Sequence, residues 1–173
     1  VCSSDLRLEA GASTLDRCEV SVAALLDEIS AESRGFIDPA GQKLVVELSP
    51  SVASATLSLD AARIRHVFMN LLTNASKYSP RGGTITLSAA PAEGKFIRFA
   101  VRDEGPGIPA ESIARVFDRF YRAPNQEKTG AGLGLAIARE IVVAHGGSIA
   151  CTSQPGEGAE FHFLLLLSDG EFR

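Results

Sequence analysis

The sequence predicts an α/β protein built as a two-layer sandwich, with a mixed, largely antiparallel sheet packed on helices. Three observations predict it. Segments of alternating apolar residues interleave with segments of helical spacing. The strands meet as hairpins and not in strict strand-helix-strand alternation. The 173 residues, 45% hydrophobic and 22% charged, suffice for one well-filled core and are short for two. No internal repeat is visible.

Helical spacing begins around Val22, Leu25, Leu26 and Ile29 and stops at the break Ile37-Asp38-Pro39-Ala40-Gly41. Lys43–Leu48 and Thr56–Leu59 read as strands, and Asp60 is placed to cap the helix that follows. In that helix Ile64, Val67, Phe68, Leu71, Leu72 and Ala75 share an apolar face, and Ser79-Pro80-Arg81-Gly82-Gly83 ends it. Thr84–Ser88 and Phe96–Arg102 flank Pro91-Ala92-Glu93-Gly94 as a hairpin. The stretch from Pro109 to Gly130 has weak periodicity and a polar middle, the pattern of a lid or binding loop. A last helix opens at Gly132-Leu133-Gly134-Leu135 and closes at His145-Gly146-Gly147, before strands at Ser148–Ser153 and Glu160–Leu167.

A net charge of -4 removes the electrostatic footprint of a nucleic-acid binder, so no nucleic-acid partner is expected. The longest apolar run, Phe161–Leu167, falls far short of the ~20 residues of a membrane span. Cys2, Cys18 and Cys151 are odd in number and widely spaced, which fits free thiols in a reducing cytoplasm. The start shows neither the basic stretch nor the apolar core of a signal peptide. Cys2-Ser3-Ser4-Asp5-Leu6 matches the translation of a common sequencing-library adapter, so residues 1–6 are expected to be non-native.

Three places carry chemistry. On the helix after Asp60, residues His66, Asn70, Thr73, Asn74 and Lys77 lie opposite the apolar face. Mid-helix asparagines are poor helix formers. A solvated polar face explains them as well as a site does; in a site the Asn oxygens suit Mg²⁺ and Lys77 suits a phosphate. Asp103 opens the turn Asp103-Glu104-Gly105-Pro106-Gly107-Ile108 at a strand end. It either forms local backbone bonds or accepts the exocyclic amine of adenine, where the carbonyl of guanine would be repelled. Gly130-Ala131-Gly132-Leu133-Gly134-Leu135 gives a glycine-rich helix start whose N–H groups favour phosphate or allow close packing. It neither follows a strand, as a dinucleotide fingerprint does, nor ends as a P-loop does.

In order, these segments resemble the catalytic domain of sensor histidine kinases, within the superfamily of gyrase-type and mismatch-repair ATPases. Asn70–Pro80 resembles the N-box and Asp103–Ile108 the first glycine box. Phe117-Asp118-Arg119-Phe120-Tyr121-Arg122 resembles the phenylalanine box, Gly130–Leu135 the second glycine box and Gly156–Phe161 the last, degenerate one. Arg7-Leu8-Glu9-Ala10-Gly11 is similar to the end of the second helix of the dimerisation and phosphotransfer domain.

The resemblance implies a Bergerat-type sandwich with a mobile ATP lid, and ATP and Mg²⁺ as ligands. Residues 1–19 would be a remnant of the phosphotransfer helix and linker, 20–168 the catalytic domain and 169–173 a tail. Asn74 would bind Mg²⁺ with Asn70 ordering the site, Lys77 would meet phosphate and Tyr78 would flank the nucleoside. Asp103 would hold adenine, and Gly105 and Gly107 would let the loop that ends at Ile108 approach the base. Backbone of Gly130, Gly132, Leu133, Gly134 and Leu135 would face the phosphates, and Phe117 and Phe120 would anchor the lid. Arg119 and Arg122 would approach the phosphates or the partner helix, against the plainer reading that both are solvated.

The implied reaction passes the γ-phosphate to a histidine of a separate phosphotransfer domain, then to the receiver domain of a response regulator. The full-length kinase would be a homodimer anchored at the inner face of a bacterial membrane, with this domain in the cytoplasm. Ala131 and Ala159 depart from the family by lacking a hydroxyl. Hydrolytic members carry a glutamate base where Asn70 stands, and an amide takes no proton from water, which favours transfer over hydrolysis. The competing readings are a nucleotide-dependent regulatory module and an anti-sigma-factor-like serine kinase.

Overall fold

The structure, a computed structural model, describes residues 14–123 and 131–168. In chain order the elements are β1 (Cys18–Ser21), α1 (Val22–Ile37), β2 (Lys43–Leu48), β3 (Thr56–Leu59), α2 (Ala61–Tyr78), β4 (Thr84–Pro91) and β5 (Phe96–Arg102). Then follow α3 (Ala110–Ile113), α4 (Gly134–Ala144), β6 (Ser148–Ser153) and β7 (Ala159–Leu166), with a single 3₁₀ turn at Pro50–Val52. The main sheet runs β2-β4-β5-β7-β6, and β1 pairs with β3 in a separate two-stranded sheet. Only the β2–β4 pair is parallel in the main sheet.

The alternation of the strands sorts the two faces. Ile85, Leu87 and Ala89 of β4, Ile97, Phe99 and Val101 of β5, and Phe161, Phe163 and Leu165 of β7 are buried under the helices. Thr86, Ser88, Arg98 and His162 alternate with them on the outer face, where Arg98 pairs with Glu160. The helix layer supplies Leu26 and Ile29 from α1 and Ile64, Val67, Phe68, Leu71, Leu72 and Ala75 from α2. At the centre the Phe68 ring meets Phe99 edge-on at 5.5 Å and Phe163 at 5.1 Å, and Phe99 stacks on Phe163 at 5.3 Å. Truncating such a buried ring to alanine costs about 3–5 kcal/mol.

Caps fix where the helices start. Ser21 Oγ accepts from the Ala24 N–H, and Asp60 Oδ1 accepts from the Arg63 N–H at 3.1 Å. The Asp60 N–H donates to His145 Nε2 at 3.0 Å, so the start of α2 is tied to the end of α4. Gln42 secures the other end of α2: its Nε2 donates to the carbonyls of Ser76 and Ser79, both at 2.9 Å.

The strands and helices expected from periodicity are present, including the Asp60 cap and the Ser79 stop. Sequence reading misses β1 and α3, which are too short to show a period. A domain boundary at residue 20 cuts through β1, which carries Cys18 and Glu19 against Leu59 and Ser58 of β3. The connection after Pro109 is not irregular throughout: α3 lies within it, and Ser112 and Val116 are buried. The middle of that connection, the helix-end motif at residues 7–11 and the C-terminal tail lie outside the described residues.

His145 gives the fold a pH dependence. Its Nδ1 lies 2.8 Å from the Ile141 carbonyl and its Nε2 accepts from Asp60, a pattern only the neutral ring satisfies. Burial holds its pKa below the ordinary 6.5, opposed by the Ile141 carbonyl. A depressed histidine contributes stability that is present above the unfolded value and lost as pH falls through the folded one. Thermal melts should therefore show stability dropping as pH is lowered below about 6.5. The substitution His145→Gln should lower stability at neutral pH and flatten that part of the profile.

Candidate functional site

One face of α2 builds the core and the other builds a cavity. Asn70, Thr73, Asn74 and Lys77 recur at i, i+3, i+4 and i+7 opposite Phe68 and Leu71, and all four line a cavity of 420 Å³. The start of α4 forms the facing wall with Ala131, Gly132, Leu133, Gly134 and Leu135. Leu133 provides no side-chain cap, so the first N–H groups of α4 have no side-chain acceptor there. The loop after β5 closes one end with Asp103, Pro106, Gly107 and Ile108.

That end is apolar around one carboxylate. Ile108, Val116, Ala159 and Phe161 line it, all buried, together with Asp103 at 3% exposure. Asp103 Oδ1 accepts from the Gly105 N–H at 2.8 Å and the Ala159 N–H at 3.2 Å. Among the described residues Oδ2 takes no hydrogen bond, while the side chain borders the cavity. Burial pushes the carboxyl above its ordinary pKa, and the two N–H groups pull it back.

The loop reaches this position because two glycines let backbones touch. Gly107 (φ +77°) lies so near the β6–β7 turn that a Cβ would meet the Gln154 carbonyl oxygen at 2.1 Å. At Gly158 (φ +74°) a Cβ would meet the Asp103 carbonyl oxygen at 2.0 Å. No other residue fits either place.

The lining also carries two cations. Lys77 and Arg122 both line the cavity, and the Lys77 pKa is lowered by burial and then by the charge of Arg122. A like charge nearby disfavours the ammonium form. Lys77 Nζ also lies 5.2 Å from the centre of the Tyr78 ring, another lining residue. On the α2 wall facing Gly134, Asn70 Nδ2 is buried with no hydrogen-bond partner.

Of the residues singled out by sequence, the cavity gathers Asn70, Asn74, Lys77, Tyr78, Asp103, Gly107, Ile108, Arg122, Gly132, Leu133, Gly134 and Leu135. Gly130 lies outside the described residues. Gly105 does not line the cavity; its N–H serves Asp103. Arg119 is turned away and pairs with Glu140 of α4, so it does not approach the cavity. Phe117 anchors its segment, its ring edge-on to Phe161 at 6.0 Å. Phe120 does not: it is 71% exposed, held at φ +63° where its N–H donates to the Gly132 carbonyl. Tyr121 is a lining residue that the sequence reading assigned no role, and its hydroxyl donates to Ser112 at 2.9 Å.

Residues 59–169 match the family described as histidine kinase-, DNA gyrase B-, and HSP90-like ATPase. The chain is 36% identical over 148 residues to the adaptive-response sensory kinase SasA of Nostoc sp., covering 85% of this chain and 36% of that protein. It is 39% identical over 153 residues to the alginate biosynthesis sensor protein KinB of Pseudomonas aeruginosa, covering 87% of this chain and 25% of the relative. Among solved structures, full-length ShkA in complex with AMPPNP superposes with a TM-score of 0.81 at 31% identity, over 92% of this chain and 33% of that one. The catalytic domain of the histidine kinase ThkA, nucleotide-free, gives 0.76 at 25% identity, over 88% of this chain and 96% of that one.

The carboxylate geometry yields a test on stability alone. Asp103→Asn keeps an oxygen for the Gly105 and Ala159 N–H groups and removes the buried charge. Thermal melts near neutral pH should place it at or above the wild type. Asp103→Ala leaves both N–H groups unpaired and should cost about 1–3 kcal/mol. Because the folded-state pKa is raised, the wild type should lose stability as pH rises from the ordinary 3.8 through the folded value, and the Asn variant should not.

Proposed function

Because the chain belongs to the histidine kinase-, DNA gyrase B-, and HSP90-like ATPases, we propose that its cavity takes ATP with adenine at Asp103 and the phosphates between Lys77, Arg122 and the start of α4. The observation that carries this orientation is the polarity of the cavity. A buried carboxylate with one uncommitted oxygen sits among apolar side chains at one end, while the rest of the lining carries two cations and an uncapped helix start. The exocyclic amine of adenine is a donor matched to that oxygen, and the guanine carbonyl is repelled by it.

The donors present fit Mg²⁺. Asn74 and Asn70 offer hard amide oxygens, and the unpaired Asn70 amide nitrogen is buried beside them. No cluster of three or more His, Cys, Asp or Glu side chains able to hold a metal exists among the described residues. That suits an ion which takes most of its ligands from phosphate and water. Asn74 would hold it, with Asn70 ordering the site. When bound, the ion neutralises charge on the phosphate oxygens.

The protein's own part in phosphoryl transfer is positioning and electrostatics. Asn70 stands where water-activating members of the family carry a base, and an amide removes no proton from water, so hydrolysis is slow. Lys77 and Arg122 bind the phosphates, Tyr78 flanks the nucleoside, and Asp103 fixes the base. The phosphate passes to a histidine on a separate dimerisation and phosphotransfer domain, for relay to a response regulator's receiver domain. We place this within a homodimeric, membrane-anchored sensor kinase whose catalytic domain lies in the cytoplasm. The chain spans 36% and 25% of the two kinases named above, and those names favour transfer over a purely regulatory module. No helix among the described residues is long and apolar enough to cross a membrane.

Transfer in trans tests the reading. The chain's own histidines are poor acceptors: His145 is buried, His162 is half-buried in β7, and the exposed His66 precedes Val67 and Phe68 rather than an acidic residue. With labelled ATP and Mg²⁺, the chain alone should gain no acid-labile, base-stable label. Adding a phosphotransfer domain should produce that label on the added domain. Labelling of His66, His145 or His162, or no transfer to any phosphotransfer domain tried, contradicts the proposal.

A further inference from the structure

We infer that Ser153, at the end of β6 and outside the cavity, is a positioning residue for the nucleobase end of the site; the inference rests on the orientation proposed above. Its hydroxyl oxygen accepts from the Ile108 N–H at 2.8 Å and its proton goes to the Gly158 carbonyl at 2.6 Å. One side chain thereby joins the last residue of the Asp103–Ile108 loop to the turn that leads into β7. Its strand partner is Ala159, whose N–H donates to Asp103 Oδ1.

Besides the Asp103 carboxylate, the other fasteners of this junction are made by backbone or by missing side chains. The Gly156 N–H donates to the Pro106 carbonyl at 2.7 Å, and the Asp103 N–H donates to the Ala159 carbonyl at 2.9 Å. Gly107 and Gly158 permit the contact without holding it. Ser153 is thus the side chain that bridges loop and turn at the Ile108 end, where Ile108 enters the cavity wall, as Asp103 does at the loop's start. A hydroxyl with both hydrogen-bonding capacities is required there, because one neighbour donates and the other accepts.

Loss of the hydroxyl frees the Ile108 end of the loop and removes no contact of Lys77, Arg122 or the start of α4. The effect therefore falls on base recognition and spares phosphate recognition. Calorimetry with ADP and with inorganic tripolyphosphate, each with Mg²⁺, separates the two. Ser153→Ala should weaken ADP about three- to tenfold, the range of one net hydrogen bond, and leave tripolyphosphate within about twofold. Ser153→Thr, which keeps the hydroxyl, should restore ADP binding, and the isosteric Ser153→Val should behave as alanine. The Thr and Val pair makes the same comparison if the alanine variant fails to fold. Unchanged ADP affinity in Ser153→Ala and Ser153→Val, equal loss of both ligands, or no rescue by threonine overturns the inference. Asp103→Ala in the same assay keeps the two claims apart. If it weakens ADP while Ser153→Ala does not, the orientation stands and Ser153 has no positioning part. If Asp103→Ala leaves ADP unchanged, the orientation fails and takes the inference with it.

Discussion

The site depends on a carboxylate buried at the junction of three backbone segments. Asp103 follows β5 directly, serves its own loop through Gly105, and clasps the first residue of β7 through Ala159. Burying that charge is unfavourable, as its raised pKa records, and two N–H donors do not cancel the cost of burial. The fold tolerates the expense because the same group faces the cavity. Stability alone favours an amide at this place; a carboxylate is needed only where a donor must be recognised.

The rest of the cavity follows from α2 having two distinct faces. Phe68 sits in the ring cluster with Phe99 and Phe163, which fixes the rotation of the helix on the sheet. Once that rotation is fixed, Asn70, Thr73, Asn74 and Lys77 have one direction to point. Both ends of the helix are secured by distant residues, Asp60 to His145 at the start and Ser76 and Ser79 to Gln42 at the finish. The charge held at the Lys77 end is therefore placed by packing and by bonds that lie outside the cavity. This is the preorganisation that the proposed phosphoryl transfer asks of a protein, since little covalent chemistry falls to its side chains.

Much of this was legible in the sequence because it is local. The apolar stripe of α2, its polar complement, the glycine turn after β5 and the glycine-rich start of α4 each declare themselves within about a dozen residues. What escaped is pairing between distant parts of the chain. Nothing near Arg119 shows that Glu140 will claim it, and nothing near Phe120 shows that its backbone will turn to reach Gly132 and expose the ring. Ser153 looks like an ordinary strand serine until Ile108 is brought against it. The strand β1 was missed because four residues, mostly exposed, show no period; it exists by pairing with β3.

The account stands or falls on adenine recognition by a buried carboxylate. Titrating the wild-type chain with ATP and with GTP, at equal Mg²⁺, measures this most directly. The account predicts that GTP binds roughly tenfold more weakly or worse, since its carbonyl meets the Asp103 oxygen where the adenine amine donates to it. Equal affinities would contradict it.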